Sequence, residues 1–132
     1  MNEAGSTGGY VERVAVSGEA AELIRRLTGL HGPVMFHQSG GCCDGSSPMC
    51  YPDGEFRIGG SDLHLGDLDV GLERRVPVYM SKSQFEYWKH THVTIDVVKG
   101  RGAGFSLEAP EGVRFLIRSR LFSDEETVAA NG

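Results

Sequence analysis

The stretch that decides the fold is His92-Val93-Thr94-Ile95-Asp96-Val97-Val98 together with Val113-Arg114-Phe115-Leu116-Ile117-Arg118-Ser119-Arg120-Leu121. In the first part Val93, Ile95 and Val97 alternate with His92, Thr94 and Asp96. In the second, Val113, Phe115, Ile117 and Ser119 oppose Arg114, Leu116, Arg118 and Arg120. Successive side chains of a strand point to opposite faces, so this period of two predicts strands with one buried and one solvated face. Between them, Phe105 and Leu107 alternate with Ser106 and Glu108, and Gly100-Arg101-Gly102 and Pro110-Glu111-Gly112 supply turns. Three such segments in succession predict an antiparallel meander.

Working upstream, Val76–Met80 reads as a strand, and Ser81-Lys82-Ser83-Gln84 has the form of a capping box. A short helix over Lys82–Lys89 follows, with Phe85 and Trp88 one turn apart on one face. Leu63–Leu65 and Glu55–Ile58 are weaker strand candidates, and Val34–Gln38 is a strand leading into Gly40-Gly41-Cys42-Cys43. Before it, Ser17 reads as an N-cap, and Ala20, Leu23, Ile24 and Leu27 form the apolar stripe of a helix. Gly29, Gly32 and Pro33 end that helix, and Val11–Val16 is a short strand ahead of it. The fold class is mainly β with two helices (α+β), as an antiparallel or mixed β meander or sandwich. Residues 1–10 read as a disordered leader, 11–122 as a single domain and 123–132 as a frayed tail.

The chain has 132 residues, the size of one domain, and 19 glycines, about twice the usual share of roughly 7%. The formal net charge of -5 and the absence of a basic run argue against nucleic-acid binding. No apolar stretch approaches the length of a membrane span, and no signal-peptide pattern opens the sequence, so the reading is no membrane and a cytoplasmic location. Three cysteines do not make a disulfide framework.

Cys42, Cys43 and Cys50 are the candidate metal donors, because thiolates suit zinc, iron and iron–sulfur clusters and glycines let a loop fold tightly round a site. His37, on the strand entering the loop, is the fourth candidate ligand. Three thiols leave one position for a histidine, a carboxylate, a water or a second subunit, which makes a homodimer reasonable. The competing chemistry is a thiol-redox module in which Cys50 pairs with Cys42 or Cys43. A third reading is a structural partner protein with no bound metal, with Phe85, Trp88 and Phe122 as a contact surface. His31 reads as a helix-end residue, His64 as structural or exposed, and His90 and His92 as a solvated pair on one strand face. Asp62, Asp67 and Asp69 could hold a hard cation but read as a solvated loop, and Gly100-Arg101-Gly102 reads as a hairpin turn. No hydrolase, P-loop or zinc-protease motif occurs, so no catalytic residue is assigned and the reading leans away from an enzyme.

The segment from Ser39 through Gly40-Gly41-Cys42-Cys43-Asp44-Gly45 to Pro52 resembles the signature of an uncharacterised bacterial family, domain of unknown function 779. Gln84-Phe85-Glu86-Tyr87-Trp88-Lys89, Phe105-Ser106-Leu107-Glu108 and residues 114–122 continue the likeness. Members are often encoded beside aldehyde dehydrogenases, so the resemblance implies such a partner. The order of elements is more remotely similar to HesB-like, or A-type, iron–sulfur carriers. Ser17-Gly18-Glu19-Ala20-Ala21-Glu22-Leu23-Ile24, Gly40-Gly41-Cys42 and Gly104-Phe105-Ser106-Leu107-Glu108-Ala109-Pro110 carry that similarity. Those carriers end in a Cys-x-Cys pair where this chain has Glu111–Arg118 and no cysteine, so only Cys42 carries over. Together these readings give a metal- or iron–sulfur-binding accessory protein of HesB-like fold that serves an aldehyde dehydrogenase.

Overall fold

A computed structural model describes residues 13–38, 46–54, 59–100 and 106–131. The elements run β1 (Val14–Val16), α1 (Gly18–His31), β2 (Val34–Gln38), β3 (Met49–Pro52), β4 (Asp62–Leu68), β5 (Val76–Ser81), α2 (Lys82–Trp88), β6 (Thr91–Lys99), β7 (Val113–Leu121) and α3 (Asp124–Asn131). They form two mixed sheets, of order β1-β6-β7 and β3-β2-β5-β4, which makes the fold α+β. In the first, β1 runs parallel to β6 and β6 antiparallel to β7; in the second, β2 runs parallel to β5, with β3 and β4 antiparallel at the edges.

The local chemistry explains the helices. Ser17 is extended and its Oγ accepts the Ala20 N–H at 3.1 Å, capping α1. The stripe Ala20, Leu23, Ile24 and Leu27 is buried, as its spacing predicts. The helix runs through Gly29 and stops at Gly32, whose φ of 84° few other residues adopt and whose N–H returns to the Thr28 carbonyl at 2.8 Å. Ser81 caps α2 through the Gln84 N–H, whereas the Gln84 side chain accepts from the Trp88 indole.

Two expectations are corrected. Among the described residues the middle strand of the meander does not form: Leu107 and Glu108 lie in a turn that runs into a 3-10 helix at Ala109–Glu111, and β6 pairs directly with β7. The residues read as a frayed tail include α3, whose start is a reciprocal capping box between Ser123 and Glu126, with Arg120 also holding Glu126. Glu55–Ile58, Phe105 and residues 1–12 lie outside the described residues.

The core lies between the sheets and α1, and draws on both sheets. Phe36 and Phe115 meet there edge to face, with ring centroids 4.9 Å apart. The sheets meet along two seams. At one, Val14 of β1 packs against Gly66 of β4, so closely that a Cβ on residue 66 would sit 2.7 Å from a Val14 methyl. At the other, the Ile117 N–H of β7 donates to the Ser46 carbonyl and the Leu107 N–H to the Cys50 carbonyl. Of the aromatics read as a contact surface, Trp88 is buried, whereas Phe85 and Phe122 are half-buried with the Arg13 guanidinium over both rings.

Candidate functional site

β2 is buried from end to end, and its polar residues come last, just before the cysteine segment. His37 keeps only 3% of its surface exposed. A buried imidazole needs partners for its ring nitrogens. One is Asp62, which opens β4, with Nε2 and Oδ1 2.7 Å apart. The other Asp62 oxygen accepts the Gly59 N–H at 2.9 Å. The Gly59 amide and then His37 hold the Asp62 carboxyl below the usual carboxylate range.

Register shows which side chains share this face. Met49, His37, Tyr79 and His64 are successive partners across β3, β2, β5 and β4. They therefore form a row on one side of the sheet. The His64 ring lies 5.3 Å from that of Tyr79, and its Nε2 meets Asp67 at 2.8 Å.

Cys50 belongs to the opposite side. It pairs with Phe36, one position from His37, and its side chain is wholly buried in the core. Burial, and next the negative charge of Glu108, push its thiol far above the ordinary range. Its side chain lies on the face away from the His37 ring, so the two cannot share an ion in this arrangement. Cys42 and Cys43 lie outside the described residues. Of the four expected ligands, the structure thus separates His37 from Cys50.

The remaining candidates are dispersed. Asp62, Asp67 and Asp69 each have their own partner, Asp69 accepting from the Gly71 N–H. Among the described residues no three His, Cys, Asp or Glu side chains group closely enough to hold a metal. His31 ends α1, as expected. His90 sits in the turn before β6, where its carbonyl accepts the Phe122 N–H, so it does not share a strand face with His92. Sequence reading did not single out Asp62 as the partner of His37, because strand pairing across 25 residues brings them together and no local spacing encodes it.

Two mixed sheets around a single helix-backed core, with a buried histidine held by a carboxylate where one central strand leads toward a cysteine segment, define a small α+β domain. The family model for a domain of unknown function (DUF779) matches residues 23–121, and the chain belongs to that family. No curated protein and no solved structure matches it. No helix among the described residues is long and apolar enough to cross a membrane.

Proposed function

We propose that this protein is a metal-binding accessory protein whose site is assembled at the end of β2, with His37 as the imidazole ligand and Cys42 and Cys43 as thiolates. The observation that carries the reading is the buried His37, five residues before Cys42, held by the partly exposed carboxylate of Asp62. Metal-binding histidines are characteristically held by a carboxylate, which fixes the ring and raises its basicity. Imidazole and thiolate together suit zinc, iron or an iron–sulfur cluster. Resemblance to HesB-like carriers at Gly40-Gly41-Cys42 supports the cluster among these. Cys50 has no place in the ligand set, so the last position falls to a water, a carboxylate or a second copy of the chain. The partner that the family resemblance implies is an aldehyde dehydrogenase, which the accessory protein would serve in the cytoplasm.

The thiol-redox alternative is the weaker reading, because an attacking thiol needs a lowered pKa and some exposure, and Cys50 has neither. Elemental analysis of protein purified anaerobically without added metal tests the proposal. Stoichiometric zinc or iron is expected, lost in His37→Ala and in Cys42→Ser with Cys43→Ser, and kept in Cys50→Ala. Metal-free wild-type protein that also fails to take up zinc or ferrous iron overturns it.

A further inference from the structure

Cys50 serves this molecule through its backbone. β3 has four residues and lies at a sheet edge. A strand that short draws little register from its own ladder, and a slip of one residue would exchange its two faces. On the side away from β2, the Cys50 N–H donates to Ser106 Oγ at 2.8 Å and the Cys50 carbonyl accepts the Leu107 N–H at 3.0 Å. The Ser106 hydroxyl donates in turn to Glu108 Oε1, and Glu108 Oε2 accepts the Phe115 N–H of β7 at 3.3 Å. Ser106 and Glu108 are 3% and 1% exposed. A carboxyl group buried to that degree is costly unless both oxygens are satisfied, and here both face donors. An amide in its place would turn its NH2 toward one of them.

We infer that Ser106 and Glu108 are positioning residues that lock the register of β3 on β2 and so keep His37 opposite Met49 at the two ends of the cysteine segment. The lock stands on hydrogen bonds alone; its purpose, holding the metal ligands in place, rests on the proposed function. Alternation in an antiparallel pair turns the Met49 and Tyr51 amides toward β2, where they report the register.

Residue-resolved hydrogen exchange on the full chain tests the lock without metal, and a zinc competition titration tests its purpose. Ser106→Ala removes the acceptor for Cys50 and the hydroxyl bound to Glu108, whereas Ser106→Thr keeps both. In Ser106→Ala the Met49, Cys50 and Tyr51 amides should exchange about tenfold faster while those of Leu23 and Ile24 in α1 hold their rates. Zinc affinity should fall about tenfold, as when a second-shell partner is lost, and Ser106→Thr should restore both. Unchanged exchange at β3, or equal acceleration in α1, overturns the lock. Faster exchange confined to β3 with no zinc bound even by the wild type supports the lock and removes the metal reading. Glu108→Gln, which keeps the volume, should accelerate the same three amides and decides the matter if Ser106→Ala does not fold.

Discussion

The two sheets handle burial in opposite ways. In β6 of the three-stranded sheet, Val93 and Ile95 are buried and His92, Thr94 and Asp96, which alternate with them, are half-exposed. In β2 of the four-stranded sheet all five residues are buried, Val34, Phe36 and Gln38 alternating with Met35 and His37. The one-sided sheet leaves its polar groups to solvent and surface ion pairs, such as Asp96 with Arg118 at 2.7 Å. The two-sided sheet encloses polar side chains, and it supplies the buried His37 ring with the Asp62 carboxylate. A histidine enclosed in this way is a more informative feature than an exposed one, because its partner has to be built in.

The contrast is broken most severely at Phe36. It is wholly buried and packs edge to face on Phe115, so it joins the two sheets across the core. Phe36→Ala should cost about 3–5 kcal/mol in urea unfolding, from lost burial and the cavity left behind. An effect near that of a surface substitution would mean that the sheets do not share one core.

The same contrast explains what could be read in the sequence. α1 and β6 were legible because a one-sided element writes its burial as a period, β7 was legible from its alternating sequence although Phe115, Leu116 and Ile117 are all buried, and Ser17 and Ser81 announced their helices by capping chemistry. β2 was legible as a strand, but burial on both sides erases the alternation that would have said which face His37 takes. The separation of Cys50 from His37 depends on the pairing of β2 with β3, a contact that local spacing does not specify. Period two over Phe105–Glu108 was too short to distinguish a strand from a turn. α3 has its signal in Ser123-Asp124-Glu125-Glu126, a capping box outweighed by the polar composition that follows it.

A second prediction probes the seam between the sheets. Gly66→Val would push a side chain into Val14, whose methyl already lies 2.7 Å from where a Cβ would stand. Overpacking there should cost about 1–3 kcal/mol, and Val14→Ala added to it should recover part of that loss. Strictly additive losses in the double-mutant cycle would show that β1 and β4 do not press on one another at this point.

Cys50→Ala sharpens the division between the two faces of the four-stranded sheet. Its sulfur packs as a small apolar group, so the expected loss is about 1 kcal/mol, with zinc uptake unchanged. Loss of metal without loss of stability would put the sulfur back among the ligands.

The smallest expected effect lies on the solvated face of the three-stranded sheet. Arg118, and next the Ser17 hydroxyl, donate to the Asp96 carboxylate and hold its carboxyl below the usual range. A carboxyl whose value is lower in the folded than in the unfolded chain adds stability at neutral pH, and loses it as pH falls through the folded value. Asp96→Asn should therefore cost about 1 kcal/mol or less at pH 7, since solvent screens much of the pair. The gap between mutant and wild type should narrow steadily below about pH 4. Because Ser17 also caps α1, part of the loss should persist in high salt, which screens Arg118 but leaves the neutral hydroxyl's bond in place. A gap that widens in acid would reverse the sign assigned to Asp96. A gap abolished by salt would mean that the cap gains nothing from the carboxylate and that the solvated face is held by charge alone.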